Sequence, residues 1–176
     1  EMTSSLVGSE MCIRDRRCGT IDPAVIDFMC RKEHKTSEEV NNILNKKSGF
    51  LGVSGVSSDS REVHAVQSTN ERADLAIRMQ EKKVADYIGS YYGYMGGVDA
   101  IVFTAGIGEN SPETRSCICN RLKEAFGIVI DEEKNATARG KNVDITGKGS
   151  KIKILVIPTN EELMIARDVM RLGNIK

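Results

Sequence analysis

The chain has 176 residues, 25 basic and 25 acidic side chains, 40% hydrophobic residues and 28% charged residues. That length suits one domain or part of a larger one, and the apolar fraction supports a core, which excludes wholesale disorder. The neutral balance argues against a general nucleic-acid binder, and no apolar run approaches the roughly 18 residues of a membrane span.

Taken in chain order, Ser4 to Arg16 shows no helical or strand period. It is too polar for a secretory signal, and residues 1–16 read as an adapter-derived, non-native segment, so that the native chain is expected over 17–176. Asp22 followed by Pro23 marks a helix start, and Thr36-x-x-Glu39 is a capping box opening a second helix. The Gly- and Ser-rich run FLGVSGVSSDSREV, from Phe50, reads as extended or loop. Ser68-x-x-Glu71 reads as another capping box, opening a long helix that ends at Gly96-Gly97. His34 and His64 are read as surface residues.

The run DAIVFTA has the continuous β-branched and aromatic character of a buried strand. A loop over Gly106 to Asn110 follows, and Ser111 with Pro112 starts a helix that Gly127 stops. Ile128 to Ile130 reads as a short strand, and the polar stretch after it as a partial helix and a turn. KIKILVIP reads as a strand with Ile152, Ile154 and Val156 on one face, and Thr159-x-x-Glu162 as the capping box of a final helix. Strands alternating with helices define an α/β class.

The five cysteines, Cys12, Cys18, Cys30, Cys117 and Cys119, contain no Cys-x-x-Cys pair, so free thiols fit better than zinc. Cys117 and Cys119 read as one surface and one core thiol of an amphipathic helix.

The glycine loop is the chemically informative segment. A strand that ends in glycines before a helix lets backbone N–H groups approach an anion. It is not a P-loop, because no Gly-Lys-Ser/Thr follows. Gly106-x-Gly108-x-x-Ser111 resembles a dinucleotide fingerprint with Ser for the third glycine, and Asp131 after the next apolar run is its candidate ribose ligand. A dinucleotide-dependent oxidoreductase is therefore one reading. Asp59 and Arg61 in SSDSR suit a ribose or base, or a surface ion pair. Glu161 sits where a strand gives way to a helix, a natural magnesium anchor beside bound phosphates.

The blocks RCGTIDP, NKKSGFLGVSGVSSDSRE, DAIVFTAGIGENSPETR and LVIPTNEELMIARD, in this order from about Arg17 to Val169, resemble the acetate kinases. The resemblance implies a ribonuclease-H-like α/β domain of the actin and sugar-kinase superfamily, incomplete here: mainly the second domain and the C-terminal helix. It implies ATP-dependent phosphorylation of acetate to acetyl phosphate, reversible, with Mg²⁺, in a cytoplasmic homodimer. Propionate and butyrate kinases of the same superfamily are close variants. Carried over residue by residue, Arg17 matches an active-site arginine, Asp59, Ser60 and Arg61 a nucleotide-contacting segment, and Gly106, Ile107, Gly108, Glu109 and Asn110 the adenosine and phosphate loop. Glu161 matches a carboxylate linked to Mg²⁺. The family's motif before the arginine has Thr where Arg16 stands, and often Asp where Thr20 stands. Its Asn-x-Gly-Ser-Ser-Ser loop does not occur, nor does an aspartate in its catalytic position, so the chain alone is expected to be inactive.

Overall fold

The structure, a computed structural model, describes residues 17–173; the segment 1–16, with Cys12, lies outside the described residues. The chain divides between Gln80 and Glu81 into two compact units.

The first unit is helical: α1 (Ala24–Glu33), α2 (Ser37–Lys46), α3 (Gly49–Ser54), α4 (Ser60–Ala65) and the start of α5 (Glu71–Met95). Asp22 Oδ1 accepts from the Ala24 N–H at 2.9 Å, but α1 begins one residue later than expected, so that Pro23 and not Asp22 stands in the cap position. The Thr36 box is fully formed, its hydroxyl accepting from Glu39 N–H at 3.2 Å and Glu39 Oε2 from Thr36 N–H at 2.8 Å. The run from Phe50, expected to be extended, is helical instead. Phe50 and Val53 lie one turn apart and pack with Val63, Ala73, Ala76 and Ile77 into one core, which overrides the weak helix propensity of Gly and Ser. Gly55, at φ 71°, ends α3 in the left-handed conformation that glycine adopts without strain. The long helix starts as expected, but its cap is Asn70 and not Ser68: Asn70 Oδ1 accepts from the N–H groups of Arg72 and Ala73 at 3.0 and 3.1 Å. His34 is exposed, whereas His64 is half-buried with an Nε2 atom that has no hydrogen-bond partner among the described residues.

The second unit contains the sheet. Its elements are β1 (Ala100–Phe103), α6 (Ala105–Asn110), α7 (Pro112–Phe126), α8 (Glu132–Thr137), β2 (Val143–Asp144), β3 (Lys153–Val156) and α9 (Glu161–Leu172). The sheet order is β1-β3-β2, with β1 parallel to β3 (Ala100 opposite Lys153, Phe103 opposite Val156) and β2 antiparallel to it. Ile152, Ile154 and Val156 share one buried face and pack with Phe103, Ile118, Cys119, Leu122, Ile128 and Ile145. β1 is covered only in part, because successive side chains point to opposite faces of the sheet: Phe103 is buried while Val102 is 47% exposed. Ile128–Ile130 makes no strand; Ile130 forms a single bridge to Thr146. Gly127 stops α7 at φ 63°, as expected. Among the described residues the cysteines are free thiols, Cys119 buried and Cys117 half-buried with its Sγ–H donated to Glu81 Oε2 at 2.8 Å. In α9 the side chains of Leu163, Met164, Ile165, Val169, Met170 and Leu172 are all exposed. No described helix is long and apolar enough to cross a membrane.

Candidate functional site

The residues singled out in the sequence fall in both units. Arg17, Asp59, Ser60 and Arg61 belong to the first, and Gly106 to Asn110 and Glu161 to the second.

In the first unit Arg17 is exposed, and the next residue is fixed to α2 by a 2.9 Å bond from Cys18 N–H to Leu44 O. Asp59 is the N-cap of α4, its Oδ1 accepting from Arg61 N–H at 2.9 Å. The same carboxylate takes the Arg61 guanidinium, with Nε at 3.0 Å from Oδ1 and Nη2 at 2.6 Å from Oδ2. This contact holds the Arg61 pKa above its ordinary value. The Arg61 side chain is 88% exposed, so the pair presents a positive group to solvent at a helix start.

In the second unit the chain leaves β1 through Thr104 in extended conformation and turns sharply at Ala105, whose φ of 58° is left-handed. For a residue with a Cβ this conformation costs on the order of 1 kcal/mol. The segment expected as a loop, Gly106 to Asn110, is a short helix, α6, closed by Asn110 Nδ2 donating to Gly106 O at 2.8 Å. Ser111 then caps α7, accepting from Thr114 N–H at 3.3 Å, with Pro112 in the first helical position. A Cβ placed on Gly106 would meet nothing within 4 Å, so this backbone faces open space, whereas one on Gly108 would touch the Phe103 backbone at 3.4 Å.

The turn after β3 is tied to this segment. Ile157 N–H donates to Phe103 O at 3.0 Å, extending the parallel pairing. Thr159 Oγ1 accepts from Ala105 N–H at 3.0 Å and lies 2.9 Å from Thr104 Oγ1. Glu109 Oε1 accepts from Thr159 N–H at 2.6 Å and lies 3.1 Å from its hydroxyl. Thr159 is thus occupied by its neighbour turn, and the final helix is capped by Asn160, whose Oδ1 accepts from Leu163 N–H at 3.0 Å. This replaces the expected Thr159 box and makes Glu161 the first residue of α9. Two turns at the carboxyl ends of adjacent parallel strands are thereby locked together, the place where α/β sheets bind ligands.

Beneath the segment lies Arg115, fully buried. Its Nη1 donates to Gly108 O and Glu109 O at 2.8 and 2.9 Å, and its Nε to Asn135 Oδ1 at 2.7 Å. Burial pulls its pKa down from the ordinary value. Sequence reasoning missed Arg115, Asn135 and the role of Thr159. A signal existed for the first: Arg115, Ile118, Cys119 and Leu122 make one buried stripe at helical spacing, with a charge in an apolar position. Asp131, the candidate ribose ligand, caps α8 and pairs with Lys134 at 3.1 Å.

Parallel strands ending in a glycine-bearing turn and a capped helix define a mixed α/β fold with a candidate ligand site at the strand ends. The model of the Acetokinase family matches residues 5–167. The acetate kinase of Acholeplasma laidlawii is 53% identical over 159 residues, covering 90% of this chain and 40% of that protein. The crystal structure of the Porphyromonas gingivalis acetate kinase superposes with a TM-score of 0.82 at 44% identity, covering 89% of this chain and 39% of that one. A propionate kinase from Francisella tularensis superposes with a TM-score of 0.79 at 38% identity, covering 88% of this chain and 39% of that one. The chain belongs to the acetokinase family. It spans about 40% of the length of the relatives it matches.

Proposed function

We propose that this chain supplies nucleotide-binding residues of an acetate kinase, an ATP-dependent carboxylate kinase that moves the γ-phosphoryl of ATP to acetate, giving ADP and acetyl phosphate, and that runs in both directions. The observation that carries the reading is the lock between the two strand-end turns, through Glu109 and Thr159, with the Gly106 backbone open to a ligand. Gly106, Ile107, Gly108, Glu109 and Asn110 would hold adenosine and phosphates through the backbone, with Asp59, Ser60 and Arg61 as further nucleotide contacts. Arg17 would hold charge on the transferring phosphoryl, the role arginines play in phosphoryl transfer.

Magnesium belongs to the same reading. Among the described residues no three His, Cys, Asp or Glu side chains gather to cage a metal ion. Mg²⁺ asks for less, taking one or two carboxylates and completing its shell with phosphates and water. Glu161, at the start of α9, is the residue that would hold it, and the ion would neutralise charge on the phosphates. Cytoplasmic location and a homodimer of the whole enzyme belong to the same reading. The named similarity to a propionate kinase favours a second acyl acceptor, propionate, on the same scaffold.

The experiment is Gly106→Ala with ADP titration by calorimetry. The added Cβ meets no protein atom, so the melting temperature is expected to hold or rise, while ADP affinity falls at least about tenfold because the backbone approach is blocked. Equal ADP affinity in variant and wild type refutes the assignment of the segment. The 176-residue chain by itself is expected to form no acetyl phosphate from ATP, acetate and Mg²⁺.

A further inference from the structure

We propose that Arg115 is the positioning residue of the glycine segment: its guanidinium, braced by Asn135, fixes the backbone of Gly108 and Glu109 in the conformation that accepts a nucleoside diphosphate. The inference rests on the nucleotide reading above and adds a residue that touches no ligand itself.

Five bonds carry it. A guanidinium has five N–H donors in a planar fork. In Arg115 Nε donates to Asn135 Oδ1 at 2.7 Å, Nη1 to Gly108 O at 2.8 Å and Glu109 O at 2.9 Å, and Nη2 to Asn135 O at 2.8 Å and Ala138 O at 3.3 Å. Every donor is used, and none of the five acceptors is a carboxylate. Asn135, itself 1% exposed, is held in turn by Nδ2 donating to Pro112 O at 2.9 Å and Glu132 Oε2 at 3.2 Å. A buried cation whose hydrogen bonds all go to neutral acceptors is an expensive device, and an apolar side chain would fill the same stripe of α7 at less cost. What the fork does that an apolar side chain cannot is seize two successive carbonyls at the end of α6, groups that a helix terminus leaves without partners. Ala105 at the other end of α6 is held by Thr159, so both ends of the segment are pinned. The Gly106 backbone is left facing open space between the pins.

Lysine keeps the charge and loses the fork, since its three donors radiate from one atom. The test compares wild type, Arg115→Lys and Arg115→Gln in the full 176-residue chain. Hydrogen–deuterium exchange is read over the peptide covering 105–111, with ADP affinity by calorimetry and a thermal melt. The expected result is a retained cooperative melt in at least one variant. In that variant the peptide exchanges at least tenfold faster and ADP binds at least tenfold more weakly, with Arg115→Lys giving no rescue. Unchanged exchange overturns the proposal, as does faster exchange with ADP affinity intact. Loss of the cooperative melt in both variants overturns it too, in favour of a role in folding alone. A wild-type chain that binds no ADP sinks the nucleotide reading and this proposal's ligand half, while the exchange result still decides whether Arg115 holds the segment.

Discussion

Glu109 and Thr159, fifty residues apart, meet as a single latch: one carboxylate oxygen accepts the backbone N–H at 2.6 Å and lies 3.1 Å from the hydroxyl. The same hydroxyl accepts from the N–H of Ala105, the residue held at φ 58°. One side chain therefore braces the strained elbow after β1 and the turn after β3 together. Strain of this kind persists where surrounding contacts over-determine it.

Removing the hydroxyl should loosen both. Thr159→Val keeps the N–H bond to Glu109 and the side-chain volume but loses three contacts of Oγ1. A stability loss of about 0.5–1.5 kcal/mol is expected, the net worth of hydrogen bonds at a site that water can reach. Thr159→Ser should stay within about 0.5 kcal/mol of wild type, because the hydroxyl remains. Urea denaturation measures both, and a Thr159→Val variant as stable as wild type would show that the latch does not hold the turn.

This contact also shows where the sequence was readable. Caps with a single claimant were found from pattern alone: the Thr36–Glu39 box, and Ser111 ahead of Pro112. In Ser68-Thr69-Asn70-Glu71 and Thr159-Asn160-Glu161-Glu162 an asparagine stands nearer the first turn and takes the cap. In the second case Thr159 is drawn away by Glu109 and Ala105, partners no local window contains. Residues 49–65 fold as two short helices because Phe50, Val53 and Val63 reach one core, a tertiary cause that glycine and serine content hides. The glycine segment was legible as a candidate site by its composition and by resemblance. Its scaffold was not, since Arg115 finds its acceptors up to 23 residues further along the chain.

Asp131 makes a prediction at acid pH. Hydrogen bonds to the Lys134 N–H and side chain hold its pKa below the ordinary carboxylate value. A lowered native pKa means a contribution fully present above the unfolded value near 3.8 and lost as pH falls through the lower native one. Asp131→Asn keeps a good N-cap but does not titrate. Between about pH 4 and pH 2 the melting temperature of wild type should therefore fall more steeply than that of the variant. Parallel slopes in a pH series of thermal melts would remove Asp131 from the acid response. The ion pair with Lys134 is largely exposed, so the two proteins should differ little at pH 7.

Cys119 predicts the opposite limb. Burial among Ile118, Leu122, Ile152 and Ile154 pushes its thiol pKa up to about 12. The nucleophile is the thiolate, so at pH 8 this cysteine should resist iodoacetamide in the folded chain and be modified once urea unfolds it. Cys117 should react slowly, because burial and the bond to Glu81 keep its thiol protonated. A raised native pKa also means stability that is fully present below the ordinary thiol value of 9.0 and is lost as pH rises through the native value. Cys119→Ala has no proton to lose and should show a shallower fall in melting temperature above pH 9, though it starts lower from the lost packing. Peptide mapping after alkylation, with and without urea, checks the first point. Full modification of Cys119 in the native chain would mean that the face of α7 against the sheet opens on the timescale of labelling.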